Sequence, residues 1–157
     1  MTAYTASQLI KCEIIARGID FNKGALIGTL AENFPEAFQA DDTKGAILNK
    51  LTHENIDEVY AEVEHDDAVY TARNEMRQGE EKTNLDPTVT SRHYEIDSVA
   101  QCILGKWVEW PYLYGAGKHS EPEAYDWVSA ARFLDCQEEE VTVIKRTFSV
   151  QGEENAA

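Results

Sequence analysis

Seven carboxylates stand between Glu54 and Asp67, namely Glu54, Asp57, Glu58, Glu62, Glu64, Asp66 and Asp67, and no Lys or Arg interrupts them. Written on a helix, at ~1.5 Å rise per residue, they give one negative charge per roughly 3 Å, close to the axial charge spacing of one DNA strand. Glu54, Glu58, Glu62 and Asp66 recur every fourth residue and would share one helical face, where like-charged neighbours each cost about 0.2–0.5 kcal/mol. The ordinary meaning of such a run is a solvated face, but a helix selected for solubility alone interleaves Lys or Arg. Glu138, Glu139 and Glu140 form a second run. Acids held in patterned structure make a fixed anionic surface, which is what occupying a phosphate-backbone site requires.

The segment from Trp107 to Trp127 is the other place where residue types suggest chemistry. Its Gly117-Lys118 invites comparison with a phosphate-binding loop, but Tyr112 stands where the first Gly should be and His119 where Ser or Thr should coordinate magnesium. A loop before a helix start could still hold one anion through backbone N–H groups and Lys118. Trp107, Trp110, Tyr112, Tyr114, Tyr125 and Trp127 also crowd this segment. Such a cluster packs a core or anchors a protein interface; base stacking works with a basic channel, which the chain lacks. His119 with Glu121, Glu123 and Asp126, or His65 with Asp66 and Asp67, could be assembled into acid/base or metal sites, but neither matches a spacing tied to a mechanism. Surface histidines are expected at His53, His65, His93 and His119.

These residues need elements to hold them. Apolar spacing predicts a helix over 5–17, with Thr5 and Gln8 as a capping box and Gly18 as its stop. A second runs from Asn22 to the break at Pro35, a short third starts at Asp42 or Thr43, and a long fourth, capped by Thr52, runs toward Gly79. Ile56, Val59, Tyr60, Val63 and Tyr70 would form the core-facing stripe of that fourth helix. The first two could pass for a helix-turn-helix, but the second offers only Lys23 to DNA. Residues 80–90 read as a linker. Beyond it, residues 94–102 and 107–114 form a hairpin about Leu104-Gly105-Lys106, a helix runs from Glu121 or Pro122 to Arg132, a short strand covers 132–135, and a final strand covers 140–150. The expected class is α+β: a helical subdomain over 1–79, then a mostly antiparallel β-β-α-β-β subdomain over 91–150, with 151–157 as a frayed tail.

Composition narrows the partners. The 157-residue chain carries 29 acids against 14 bases, a net charge of -15, split as -7 over residues 1–79 and -8 over 80–157. Direct binding to nucleic acid or to an anionic membrane is thereby disfavoured. No apolar run approaches the ~18 residues that cross a bilayer, and no leader pattern opens the chain, so a cytosolic protein is expected. Cys12, Cys102 and Cys136 are widely separated and odd in number, which predicts three reduced, mostly buried thiols and no zinc site. No cofactor or metal is expected.

The order His93-Tyr94-Glu95, Gly105-Lys106-Trp107-Val108-Glu109-Trp110, Tyr114-Gly115-Ala116-Gly117-Lys118-His119, Glu121-Pro122-Glu123-Ala124 and Asp135-Cys136-Gln137-Glu138-Glu139-Glu140 resembles small accessory proteins of phages and prophages, over about 92–148. The resemblance implies a bacterial cytosol during infection and assigns no functional residue. The leading expectation is a non-catalytic acidic inhibitor that binds a host nucleic-acid-handling defence protein, a CRISPR effector or a restriction enzyme, by DNA mimicry. Its contacts would be Glu54, Asp57, Glu58, Glu62, Asp66, Asp67 and Glu138 to Glu140, and its partner would carry a basic cleft. One alternative is a ligand-binding module or enzyme using the 114–123 loop, with Lys118, His119, Trp110 and Tyr114. Another is a phage structural or assembly component.

Overall fold

The computed structural model describes residues 3–152. Helix α1 spans Ala6–Asn33. It starts as expected: Thr5 Oγ1 accepts from the Gln8 N–H and Gln8 Oε1 accepts from the Thr5 N–H, which satisfies two orphan donors reciprocally. The expected stop at Gly18 does not occur. Gly18 is helical and buried, and a Cβ built on it would lie 3.4 Å from Val69 Cγ2, an ordinary contact with the helix that crosses it. The break comes at Asn22, whose φ of -157° and ψ of 81° leave the helical region, while its Oδ1 caps the second limb by accepting from Ala25 N–H at 3.2 Å.

Helix α2, Lys44–Lys50, is capped by Thr43, whose Oγ1 accepts from Ala46 N–H. The expected long helix from Thr52 to Gly79 is two helices, α3 over Ile56–Val63 and α4 over Asp67–Met76. Thr52 and Asn55 bond to each other in a turn instead of starting a helix at once. The later break lies among the acids: Asp66 takes the extended N-cap conformation and Asp67 the first turn, where a helix dipole favours carboxylates. The break also shifts the phase of the apolar stripe, so Val69 is buried and the expected core residue Tyr70 is 50% exposed.

The sheet has order β1-β2-β3-β4, all antiparallel: β1 Glu81–Lys82, β2 Glu95–Ile103, β3 Lys106–Tyr114 and β4 Arg132–Leu134. Glu81 and Lys82, in the stretch read as a linker, pair with Ala100 and Val99. The β2–β3 hairpin turns on Leu104 and Gly105, whose φ of 50° and 81° suit a two-residue turn. Of the expected 121–132 helix only one 3₁₀ turn forms, Pro122–Ala124. Arg73 donates to Glu123 O at 2.7 Å and Tyr125 O at 2.9 Å, which ties this turn and the chain after it to α4. The expected strand over 140–150 is also absent from the sheet: among the described residues no strand lies beside it, and the chain from Asp135 to Gly152 is exposed throughout. The expected tail over 151–157 falls outside the described residues from position 153 on.

One cluster of buried side chains joins helices and sheet, including Ile10 and Ile14 of α1, Ile56 of α3, Val69 of α4, Val99 and Trp110 of the hairpin, and Trp127. The protein is therefore α+β, with a helical N-terminal half and a four-stranded antiparallel sheet. Among the described residues no helix is long and apolar enough to cross a membrane. Only Cys12 of the thiols is part-buried, and Cys102 and Cys136 are exposed, against the expectation of mostly buried cysteines. Cys102 lies on the sheet face that the helices do not cover, and Cys136 lies beyond the last strand.

Candidate functional site

The acidic surface is built by anchoring residues 51–57 to α1. Tyr4 Oη donates to Leu51 O at 2.7 Å, and buried Gln8 donates through Nε2 to His53 O at 2.9 Å and to Asp57 Oδ2 at 3.1 Å. With Ile56, Val59, Tyr60 and Val63 inward, α3 must turn Asp57, Glu58 and Glu62 outward, and all three are exposed. Glu54 is exposed just before α3, Asp67 is exposed in the first turn of α4, and Asp66 is half-buried between the helices. The break of the helix at residues 64–66 means that Glu54, Glu58, Glu62 and Asp66 do not line one continuous face. Glu138, Glu139 and Glu140 are exposed on the segment after β4 and belong to no helix or strand.

Cations neutralise little of this surface. Lys11 Nζ lies 2.8 Å from Asp57 Oδ1, and its hydrogen bond holds the Asp57 carboxyl below its usual range. His53 stands 3.8 Å from Glu54, and His65 stands 3.5 Å from Glu64. Among the described residues Glu58, Glu62, Asp66 and Asp67 make no ion pair.

Beside α3 lies a cavity of about 420 Å³ that the sequence did not disclose, lined by Lys11, Tyr60, His65 and Arg73 with Asp57, Glu64, Glu123 and Asp126. Its residues come from four separate stretches, so no local spacing could have signalled it. Its two basic side chains other than histidine are engaged: Lys11 by Asp57, and Arg73 by two backbone carbonyls and the Trp127 ring, 5.5 Å from its guanidinium. Burial pushes the Tyr60 hydroxyl up to about 12, leaving it a neutral phenol at neutral pH. Among the described residues no three His, Cys, Asp or Glu side chains stand together as a metal site.

The aromatic segment divides. Trp110 is fully buried, its Nε1 donating to Arg77 O at 2.8 Å and its ring 5.0 Å from that of Trp127, so it is a core residue and presents nothing to a partner. Tyr114 is half-buried and stacks on Tyr112 with centroids 5.2 Å apart, while Arg77 lies over the Tyr112 ring. Lys118 and His119 are exposed in the loop after β3, which Ser120 Oγ ties by donating to Gly115 O or Gly117 O. They do not line the cavity beside α3, and Trp110 is buried in the core. Comparison of the chain with protein-family models, curated proteins and solved structures finds no match.

Proposed function

We propose that this chain is a non-catalytic, phage-encoded acidic protein that inhibits a nucleic-acid-handling defence protein of the bacterial host by occupying its basic cleft. The observation that carries this reading is the outward-facing acidic surface on α3 and the start of α4, where Asp57 alone among Glu54, Asp57, Glu58, Glu62, Asp66 and Asp67 is held by a lysine. Uncompensated carboxylates on anchored backbone form a preset field, and they pair with a basic groove at little ordering cost. The engaged state of Lys11 and Arg73 supports a binding role for the acidic face over catalysis in the cavity, because neither cation is free to hold a substrate.

An affinity capture from bacterial lysate tests the reading. The captured protein is expected to be a nuclease, a CRISPR effector, a restriction subunit or another nucleic-acid-binding factor, with added duplex DNA competing for it. Glu58→Lys with Glu62→Lys should weaken the complex by about tenfold or more, whereas Lys118→Ala with His119→Ala should leave it intact. Affinity unchanged between low and high salt, or indifference to excess DNA, would refute mimicry even if inhibition were real.

A second reading, a structural or assembly component of a phage particle, is favoured by one specific observation: the exposed, β-prone segment after β4. Recovery of the protein in purified particles would support it.

A further inference from the structure

From Asp135 to Gly152 the chain forms no helix or strand, yet it holds the most β-branched sequence in the molecule. Val141, Val143, Ile144, Phe148 and Val150 are 65–86% exposed. Apolar side chains gathered in so short a stretch mark an interface, and an extended segment without a neighbour is a template for another strand. The same stretch is inverted in charge. Residues 141–150 carry Lys145 and Arg146 and no acid, in a chain of net charge -15, and Glu138, Glu139 and Glu140 stand immediately before them.

We propose that this arm pairs antiparallel with the same arm of a second copy of the chain, about a twofold axis through Thr142. That register places Lys145 opposite the partner's Glu139, Arg146 opposite the partner's Glu138, and Val143 opposite the partner's Val141, with each pair made twice by symmetry. An arm of one sign could not pair with itself; one that is acidic on one side of its centre and basic on the other can.

The same register is met by an independent feature of the body. It brings Phe148 to the partner's Cys136 and Val150 to the partner's Leu134. Cys136 and Leu134 line a groove of about 300 Å³ together with Ala100, Trp107 and Lys82, on the sheet face away from the helices. The outer edge of β4 has no strand beside it among the described residues, so Val150 of the second copy would continue the sheet there. This inference stands whether or not the acidic surface binds a host protein.

Charge inversion of the full-length chain decides it, because the arm touches none of the core and its variants should fold. The unaltered protein should sediment at twice the 17.7 kDa chain mass. Lys145→Glu with Arg146→Glu makes the arm wholly acidic, and Glu138→Lys with Glu139→Lys makes it basic; each variant alone should lose affinity by about tenfold or more, and an equal mixture should recover a heterodimer. In a Cys102→Ser, Cys136→Ser background, Thr142→Cys should crosslink two copies on mild oxidation, whereas Ser149→Cys should not, since it lies far from its own symmetry mate. A monomeric unaltered protein at about 100 μM would overturn the proposal, as would two variants that fail to pair when mixed. Crosslinking through Ser149→Cys but not Thr142→Cys would also overturn it.

Discussion

At the scale of single residues, two glycines of one composition class have opposite roles. Gly79 ends the chain of helices at φ +70°, where a side chain is strained, and a Cβ there would stand 2.8 Å from Val99 Cβ. Gly18 sits in a helix at ordinary φ, and a Cβ would meet Val69 at 3.4 Å, a normal contact. Gly79→Ala should therefore cost about 1–3 kcal/mol, and Gly18→Ala should be neutral or stabilise by up to about 1 kcal/mol, as read by urea unfolding. Equal effects at the two sites would contradict this packing. Asp57 supplies a second residue-scale expectation. Its folded pKa is lowered, first by the Lys11 hydrogen bond, so its contribution is present above the unfolded value of about 3.9 and disappears as pH falls through the folded value. Stability curves of the unaltered protein and Asp57→Asn should differ above about pH 4 and converge below it, the difference being small because Asp57 is largely exposed.

At the scale of elements, Arg73 fastens part of the 121–132 stretch to α4. Its guanidinium reaches two carbonyls of that stretch and lies over Trp127, which fastens a single 3₁₀ turn against α4. Arg73→Ala should destabilise the protein by about 2 kcal/mol and raise amide exchange around Tyr125 to Trp127. Arg73→Lys should recover little, since an ammonium cannot reproduce the planar fork that serves two carbonyls. Protection of those amides unchanged in Arg73→Ala would show that the turn is held by packing alone. The α3–α4 break has a similar logic: a run of acids that would repel along a continuous helix is instead divided, and part of it is placed at a new N-terminus.

At the scale of the whole molecule, a net charge of -15 on one shared core means that self-repulsion opposes folding. Raising salt from about 0.01 M to about 1 M shortens the screening length from roughly 30 Å to roughly 3 Å. The Tm, measured at low protein concentration, should therefore rise with NaCl. A fall would mean that the few ion pairs, such as the 2.6 Å contact between Arg132 and fully buried Glu109, outweigh the repulsion.

The class and much of the local detail were legible in the sequence by itself. The Thr5 capping box, the start of the third helix near Thr43, the Leu104-Gly105 turn and the outward placement of Glu58 and Glu62 depend on neighbours within four residues, and such rules can be read along the chain. What only the tertiary structure decided depends on residues far apart. Gly18 looked like a stop although it lies inside a continuing helix against the distant Val69, and the helix after Glu121 looked sound although Arg73, some fifty residues earlier, holds carbonyls of that stretch. Tyr70 left its expected place in the core for the same reason. A change of helix phase and the closure of a sheet over a core are set by distant partners, whereas periodicity reports only which face could be buried. The 140–150 segment has every sequence mark of a strand, but a strand is completed by a neighbour, and within one chain that neighbour is missing among the described residues.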